Sequence, residues 1–493
     1  MHTSSGGSSA IVIGSGIAGL LAARVLSGHV DRVTMLERDL VPWTPAPRRG
    51  VPQGRHAHVL LASGQRLLEE WFPLLSYELR DRGAVPLDAG DLVWHQAGGH
   101  RVRSGIGFLA MSLSRPMLEC AVRTRLLEDH DVTLEDGVRV ERPLLDGEGR
   151  VVGVVADGVD RYADLVVDCS GRNSRMLAEL ARTGYPEPER EEVRIDVAYR
   201  TRTVSRRRRD MDGTAAVILR DVEHGGGGAT MTPIEGDRWM LTAASFHGDP
   251  APDDALAFER FAYGLPSAEL THVVDRSSAH PDGSDVVERY GMRASRRNRL
   301  ERLRQVPAGL VLLGDALCTF DPVYGQGMSS AALQAQQLGR VLDGMTPDDP
   351  ALPRAYYRRA AKVVDAPWRI AAGGDFADPR TTGDMPRGTR LLNAYLLRVL
   401  RACQVSVPVA DAMMRVQNLL ASPALLLSPP IVWRVLTARH HAEPPAGDRE
   451  HVARSTRPWR VPARPVASAD HLLRSALTGG AAIRWVGDYR ARA

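Results

Sequence analysis

The residues with the plainest chemical purpose lie in a glycine-rich stretch near the N-terminus, Ala10-Ile-Val-Ile-Gly14-Ser-Gly16-Ile-Ala-Gly19-Leu-Leu-Ala-Ala-Arg24. A short apolar strand runs through glycines directly into a helical pattern. Gly14 allows the tight turn, Gly16 lets the backbone approach a pyrophosphate, and Gly19 lets the helix pack close to the strand. A second strand, Arg32 to Glu37, ends in an acid 18 residues beyond Gly19, followed by Arg38. That spacing suits a carboxylate accepting ribose hydroxyls, and the acid argues against a 2'-phosphate in the same pocket. Strand, helix and acid together predict a dinucleotide site, with NAD and FAD both open on this motif alone.

Two later stretches carry the same kind of chemistry. Tyr162 to Asp168 reads as a buried strand that ends in the polar turn Cys169-Ser170-Gly171-Arg172-Asn173-Ser174-Arg175. Gly309 to Gly314 reads as another strand, followed by Asp315, then Asp321-Pro322-Val-Tyr-Gly325-Gln326-Gly327-Met328 at the start of a helix. Other candidates are weaker. His56 and His58 could suggest a metal, yet two histidines without an evident third ligand read better as packing or hydrogen-bonding residues, and no metal is expected. Cys169 and Cys318 border the motifs and read as small buried residues at strand ends. No His/Asp or Cys/His dyad stands out as catalytic.

These motifs need a scaffold, and the composition is that of a globular one. The 493 residues hold 63 Lys and Arg against 59 Asp and Glu, a net charge of +4, and 44% are hydrophobic. Lys362 is the single lysine, so Schiff-base, lysine-nucleophile and P-loop mechanisms have almost no candidate. The sequence pI near 9.0 comes from a small, interspersed excess, and nucleic acid is not an expected partner. The densest basic run, Arg206 to Arg209, reads as a solvated loop. Four cysteines without a CxxC pair suit a reducing compartment. With no signal peptide apparent over Met1 to Ala10 and no apolar run of the ~18 residues a membrane span needs, the expected location is the cytoplasm.

The elements around the motifs predict an α/β fold: a Rossmann-like dinucleotide-binding domain, the FAD-binding domain of the resemblance given below, with an inserted antiparallel β-sheet substrate domain and a helical C-terminal region. Val51 to Arg82 and Pro116 to His130 look helical. Val132 to Val140 and Val151 to Ala156 look like strands, and Val193 to Val204, Ala215 to Arg220, Thr230 to Ile234 and Trp239 to Phe246 supply further β segments. The last two are joined by the hairpin signal Glu235-Gly236-Asp237-Arg238. The expected division is nucleotide binding over 1–85, 111–183 and 293–345, a substrate-domain excursion over 86–110, and a substrate sheet over 184–292. A helical region follows over 346–440, then a Pro/Arg-rich tail over 441–493. Met413, Met414 and the leucines of the helical region could line a lipophilic tunnel, though core packing is the simpler reading.

GxGxxG, the Asp168 to Arg175 turn and the late Gly-Asp…Pro…Gly-Gln-Gly stretch, in this order, resemble the flavoprotein monooxygenases of the p-hydroxybenzoate hydroxylase superfamily. The resemblance implies FAD, with Asp315 on its ribityl chain, Pro322 beside the isoalloxazine, and Gly325, Gln326, Gly327 and Met328 at its pyrimidine end. A helix N-terminus there would stabilise the anionic reduced flavin without a lysine. Three further stretches, Arg48 to Leu60, Ser112 to Leu118 and Pro233 to Trp239, resemble the squalene-epoxidase-like enzymes of polyether pathways, such as the monensin and lasalocid epoxidases. This similarity covers roughly residues 10 to 340. By position it implies that Arg48 and Arg115 contact the ribityl or phosphate region and Val138 the adenine side through its backbone.

One departure bears on the electron supply. Single-component hydroxylases carry an Asp-Gly pair where this chain has Ser170-Gly171, so NAD(P)H is expected to act indirectly, through a separate flavin reductase. Flavin halogenases share the fold but need an early active-site lysine and a WxWxIP segment, and neither is present. The expected activity is an FAD-dependent monooxygenation in which oxygen from O2 passes through a flavin C4a-hydroperoxide to a lipophilic substrate. Epoxidation of a polyketide or terpenoid alkene in antibiotic biosynthesis fits best. The alternatives are aromatic hydroxylation and a geranylgeranyl-reductase-like hydride delivery.

Overall fold

Ala10 to Ile13 are all apolar and none is more than 6% exposed, because a central parallel strand is covered by helices on both faces and reserves no side for water. The computed structural model describes residues 7–103, 109–207, 210, 217–220, 227–277 and 286–438. This first strand, β1 (Ser9–Ile13), leads into helix α1 (Ile17–Leu26), strand β2 (Arg32–Glu37), helix α2 (Ala62–Trp71), strand β3 (Val93–Gln96) and helix α3 (Arg115–Asp129). Strands β4 (Val132–Asp136), β5 (Leu165–Asp168), β6 (Arg190–Ser205), β7 (Gly228–Ile234), β8 (Arg238–Ser245), β9 (Glu288–Asn298) and β10 (Leu310–Leu312) follow. Helices α4 (Gly327–Leu342), α5 (Leu352–Asp375), α6 (Thr389–Ala402), α7 (Val407–Gln417) and α8 (Pro429–Thr437) complete the chain as described.

The parallel sheet runs β10-β5-β1-β2-β4. Its first turn is as tight as the glycines foretell: Gly14 has φ +92°, and a Cβ on Gly19 would sit 1.9 Å from the Gly14 carbonyl oxygen. Strand β10 is a three-residue edge, whose outer backbone groups would be left unpaired. Two tyrosines of α5 satisfy them, since Leu312 N–H donates to the Tyr357 hydroxyl (2.9 Å) and the Tyr356 hydroxyl donates to the Leu312 carbonyl (3.2 Å). Both rings are buried in the core of this sheet.

The second sheet is antiparallel apart from one pair and runs Cys318–Thr319, β9, β6, β8, β7, Val217–Arg220, β3, Gly99–His100. The two sheets meet through the late motif, because Cys318 and Thr319, in the loop after β10, pair with Arg297 and Arg296 of β9. β7 and β8 form the expected hairpin, with Ile234 opposite Arg238 and positive φ at Gly236 and Asp237.

Local expectations failed where turn chemistry intervened. Val51 to Arg82 is not one helix: Pro52–Arg55 is a single 3-10 turn, residues 56–61 are extended or irregular, and a left-handed Leu74 (φ +69°) separates α2 from Leu75–Asp81. The strand expected over Val132 to Val140 breaks at Gly137 (φ +72°). Helix α3 starts at Arg115, one residue before Pro116, with the Ser114 hydroxyl accepting from Met117 N–H (3.3 Å). The tail over 441–493 lies outside the described residues, as do Met1 to Gly6, residues 104–108 of the excursion, Arg208 and Arg209 of the basic run, and the Ala215 and Ala216 start of a predicted strand.

Tyr357→Phe removes the hydroxyl that accepts the buried Leu312 N–H of an edge strand while keeping the ring. It is expected to cost about 1–3 kcal/mol in chemical denaturation; a loss below the measurement error would mean that Leu312 finds another partner.

Candidate functional site

Parallel strands present their motif turns at the same end, and here the carboxyl ends of all five open into one cavity of about 1860 Å³, the place where open α/β sheets put ligands. Gly14 and Gly16 follow β1, Glu37 and Arg38 border β2, Val138 follows β4, Ser170 and Gly171 follow β5, and Asp315 follows β10, all on its wall. Arg48, Arg115, Pro322, Gly325, Gln326, Gly327 and Met328 also line it. Gly19 does not: it lies beneath the turn against Gly14, where its missing Cβ lets α1 approach β1. Val138 donates its N–H to the Glu37 carbonyl (2.8 Å), so only its carbonyl is left for a ligand.

Glu37 meets more than a ribose would ask of it. Its Oε2 accepts from Ser15 N–H (2.8 Å) and the Ser15 hydroxyl (3.0 Å), and pairs with Arg48 at 2.8 Å. Arg48 also reaches Glu119 at 3.5 Å. Glu119 accepts from Arg115 Nε (2.8 Å) and from Ile17 N–H (3.3 Å) at the start of α1. Burial opposes the charge on both Glu37 and Arg48, yet their neighbours outweigh it: Arg48, Ser15 and Asp39 hold Glu37 below the usual carboxylate range, and Glu119 and Glu37 raise Arg48.

Arg115 is held from its other side by His58, whose Nε2 lies 3.2 Å from Arg115 Nη1 while Nδ1 lies 2.9 Å from the His56 carbonyl. A carbonyl only accepts and a guanidinium only donates, so His58 carries its proton on Nδ1 and is neutral. Burial, with the Arg115 charge beside it, pushes His58 down to about 3. Burial likewise pushes His56 down to about 4. His56 Nδ1 is 2.8 Å from the Thr201 hydroxyl, itself 2.7 Å from the Thr242 hydroxyl on the antiparallel sheet. Both imidazoles therefore serve hydrogen bonding, and no cluster of potential metal ligands occurs among the described residues.

Asp315 differs from the other acids. Burial pushes its pKa up, against the pull of Arg115 and Arg172, and among the described residues no side chain or backbone donor is bonded to its carboxyl group. A Cβ on Gly327 would lie 3.9 Å from Asp315 Oδ1, so the acid faces the first turn of α4. That helix has no side-chain cap and no acidic residue in its first turn, which leaves its N–H groups and their partial positive charge for a ligand. Gln326, 2% exposed, has an unpartnered Oε1 there.

The antiparallel sheet contributes alternate residues of its strands to the opposite wall: Thr230 and Thr232 of β7, Thr242 and Ala244 of β8, Tyr290 and Met292 of β9, as a period of two requires. The Tyr290 hydroxyl accepts from Arg172 (2.8 Å), whose guanidinium stacks on the ring at 5.0 Å. An apolar arm extends between β3 and the C-terminal helices, lined by Trp94, Ile370, Leu396, Leu397, Leu400, Met413 and Met414. Met413 and Met414 are buried, as core packing required, and they are also cavity wall. Cys169 lines the cavity as well, but burial holds its thiol well above the usual value, so it stays protonated.

Glu119, Tyr290, Tyr199 and Trp94 escaped the sequence reading. The Arg115/Glu119 spacing of four on a helix was the one signal available for the first; the others sit on strands whose facing depends on register.

No family model matches the chain. It is 33% identical over 450 residues to protein Rv3254 of Mycobacterium tuberculosis, a match covering 87% of this chain and 93% of that protein. Its fold is similar to that of PqsL, a probable FAD-dependent monooxygenase from Pseudomonas aeruginosa (TM-score 0.57, 20% identity, 75% of this chain and 94% of that one). It is also similar to the flavin-dependent brominase Bmp2 (TM-score 0.61, 17% identity, 86% and 96%). The 2-methyl-3-hydroxypyridine-5-carboxylic acid oxygenase aligns with a TM-score of 0.57 at 17% identity over 84% and 97%.

The buried imidazoles make stability pH-dependent. Unfolded, each takes a proton near 6.5; folded, His56 waits until about 4 and His58 until about 3. The unfolded chain therefore binds more protons between these values, so stability is full above 6.5 and falls with pH by about 1.4 kcal/mol per unit for each imidazole. Denaturation midpoints between pH 7.5 and 5 should fall, and less steeply in the double variant His56→Gln, His58→Gln. An equal slope in that variant would remove these residues from the account.

Proposed function

Because this chain belongs to the family of the mycobacterial protein Rv3254 and has the fold of the flavin-dependent enzymes above, we propose that it is an FAD-dependent monooxygenase acting on a lipophilic small molecule. One observation carries the proposal. The three dinucleotide-type turns, far apart in sequence, converge on one cavity with an uncapped helix start and an acid to whose carboxyl group none of the described residues donates a hydrogen bond.

The residues fit FAD. The glycines leave backbone exposed at the start of α1, Glu37 and Arg48 stand at the end of β2, and Arg115 is fixed by Glu119 and His58. Asp315 would take a hydroxyl-rich chain, satisfying a carboxyl group that the protein itself leaves unbonded. The first turn of α4 would hold negative charge on the ring system, which suits the near absence of lysine. When bound, FAD would supply the electrons that activate O2. One oxygen atom enters the substrate and the other leaves as water, with two electrons and two protons drawn from an external reductant.

What this chain contributes is shape and dryness. Its cavity exceeds the 300–1,000 Å³ of ordinary ligand sites, about enough for a dinucleotide and a substrate together. The apolar arm excludes water and orients an electron-rich carbon near the flavin end. Epoxidation of a polyketide or terpenoid alkene is the preferred reaction, and hydroxylation of an aromatic ring is the second. Halogenation is disfavoured because Lys362, the single lysine, is exposed on α5 and away from the cavity. Where the single-component hydroxylases have an aspartate, the Ser170 hydroxyl turns back to Asp168 at 2.6 Å. No carboxylate is offered at this point for a pyridine nucleotide, so the electrons come from a separate reductase.

Asp315→Ala is expected to weaken FAD retention about 10- to 100-fold, the worth of one or two charge-assisted hydrogen bonds; unchanged flavin content after gel filtration would count against the assignment. The reductase reading predicts that the purified protein with FAD and NADPH consumes little O2, and that adding a flavin reductase and an alkene substrate yields an epoxide carrying one atom from labelled O2. Rapid NADPH oxidation by the protein alone would contradict it.

A further inference from the structure

We propose that Glu119 sets how tightly the dinucleotide is held, acting as an internal anion that stands against the pyrophosphate for the start of α1 and for Arg115 and Arg48. This rests on reading the cavity as an FAD site.

Glu119 belongs to α3 and is 4% exposed. Its Oε1 accepts from Ile17 N–H (3.3 Å) and from Arg115 Nε (2.8 Å), and its Oε2 lies 3.5 Å from Arg48 Nη2. Helix α1 has neither a side-chain cap nor an acid in its own first turn, so the negative charge that its free N–H groups favour is supplied by another helix. Gly16, Ile17, Arg48 and Arg115 all line the cavity. A Cβ on Gly16 would lie 3.9 Å from Glu119 Oε1 and 4.0 Å from Arg48 Nη2. The room that this glycine keeps clear, where backbone and pyrophosphate approach one another, therefore borders both the carboxylate and the guanidinium.

The donors that a pyrophosphate would use are thus already engaged. Helix starts and arginines attract phosphate when their N–H groups lack an anion. Here Ile17 N–H and both arginines have a carboxylate beside them, and a phosphate entering over Gly16 meets a like charge in a partly desolvated place. Glu119 keeps the arginines compensated while the site is empty and opposes the ligand when it arrives. An exchangeable dinucleotide suits electrons supplied by a separate reductase.

The test is calorimetric titration of the full-length protein with FAD, with ADP and with adenosine, before and after Glu119→Gln. The amide keeps an acceptor for Ile17 and Arg115 but removes the charge. FAD and ADP should then bind at least about tenfold tighter, and adenosine, which has no phosphate, should change by about twofold or less. Unchanged or weaker binding of FAD and ADP in Glu119→Gln overturns the inference and leaves Glu119 as a support of the two arginines. An equal tightening of adenosine overturns it too, as does an equal tightening of ADP in Glu141→Gln, which removes another carboxylate of the cavity wall. If Glu119→Gln fails to fold, Glu119→Asp is read instead, since it draws the carboxylate back by one methylene: tighter ADP binding supports the inference and unchanged or weaker binding overturns it. Should neither the unmodified protein nor Glu119→Gln bind FAD or ADP, the dinucleotide reading itself fails and the inference with it, an outcome distinct from the others.

Discussion

A charge taken out of water must find its opposite nearby, and around that constraint the cofactor end of this protein is organised. Arg48 is 6% exposed at its side chain and lies between two carboxylates that are almost as buried. Glu37 ends a strand of the parallel sheet, and Glu119 lies within α3 while touching the first N–H of α1. Through Arg115 and His58 the network continues to residues 56–58. Removing either carboxylate would leave Arg48 undercompensated, so β2, α1, α3 and residues 56–58 are held in one geometry.

The same logic explains which polar groups remain unspent. Asp168 is satisfied within its own turn by Ser170 and Ser174, and the edge strand β10 by two tyrosines. Against this pairing, an uncapped α4 and an Asp315 carboxyl group to which none of the described residues donates stand out. In a well-packed interior such exceptions mark places where a ligand completes the bonding. Both lie on the cavity wall, at the end proposed for the flavin.

The antiparallel sheet and the helical region give the cavity its other walls without depending on charge. Alternate residues of β7, β8 and β9 face inward, and α6 and α7 contribute leucines and methionines. The buried pair Thr201 and Thr242 meets His56 across the junction of the two sheets, and Cys318 and Thr319 join the late motif to β9. The loop that bears Asp315 and the cavity-facing antiparallel sheet are thereby parts of one hydrogen-bonded assembly.

The parallel sheet, its glycine turns, the hairpin at Gly236 and the helical C-terminal region were legible in the chain alone. Each depends on local rules: apolar runs, residues able to take positive φ, and helical spacing. Most of the cavity-lining motif residues were legible for the same reason, since each turn follows a strand directly. Two kinds of contact were decided only by tertiary structure. Glu119 and Tyr290 joined the site through register and helix facing, which no motif records. Arg101 comes onto Trp94 and Gln417, more than 300 positions away in the case of Gln417, only through folding. Local sequence specifies which backbone conformations are available, whereas the balance of buried charge belongs to neighbours hundreds of positions apart and exists only once the chain is packed.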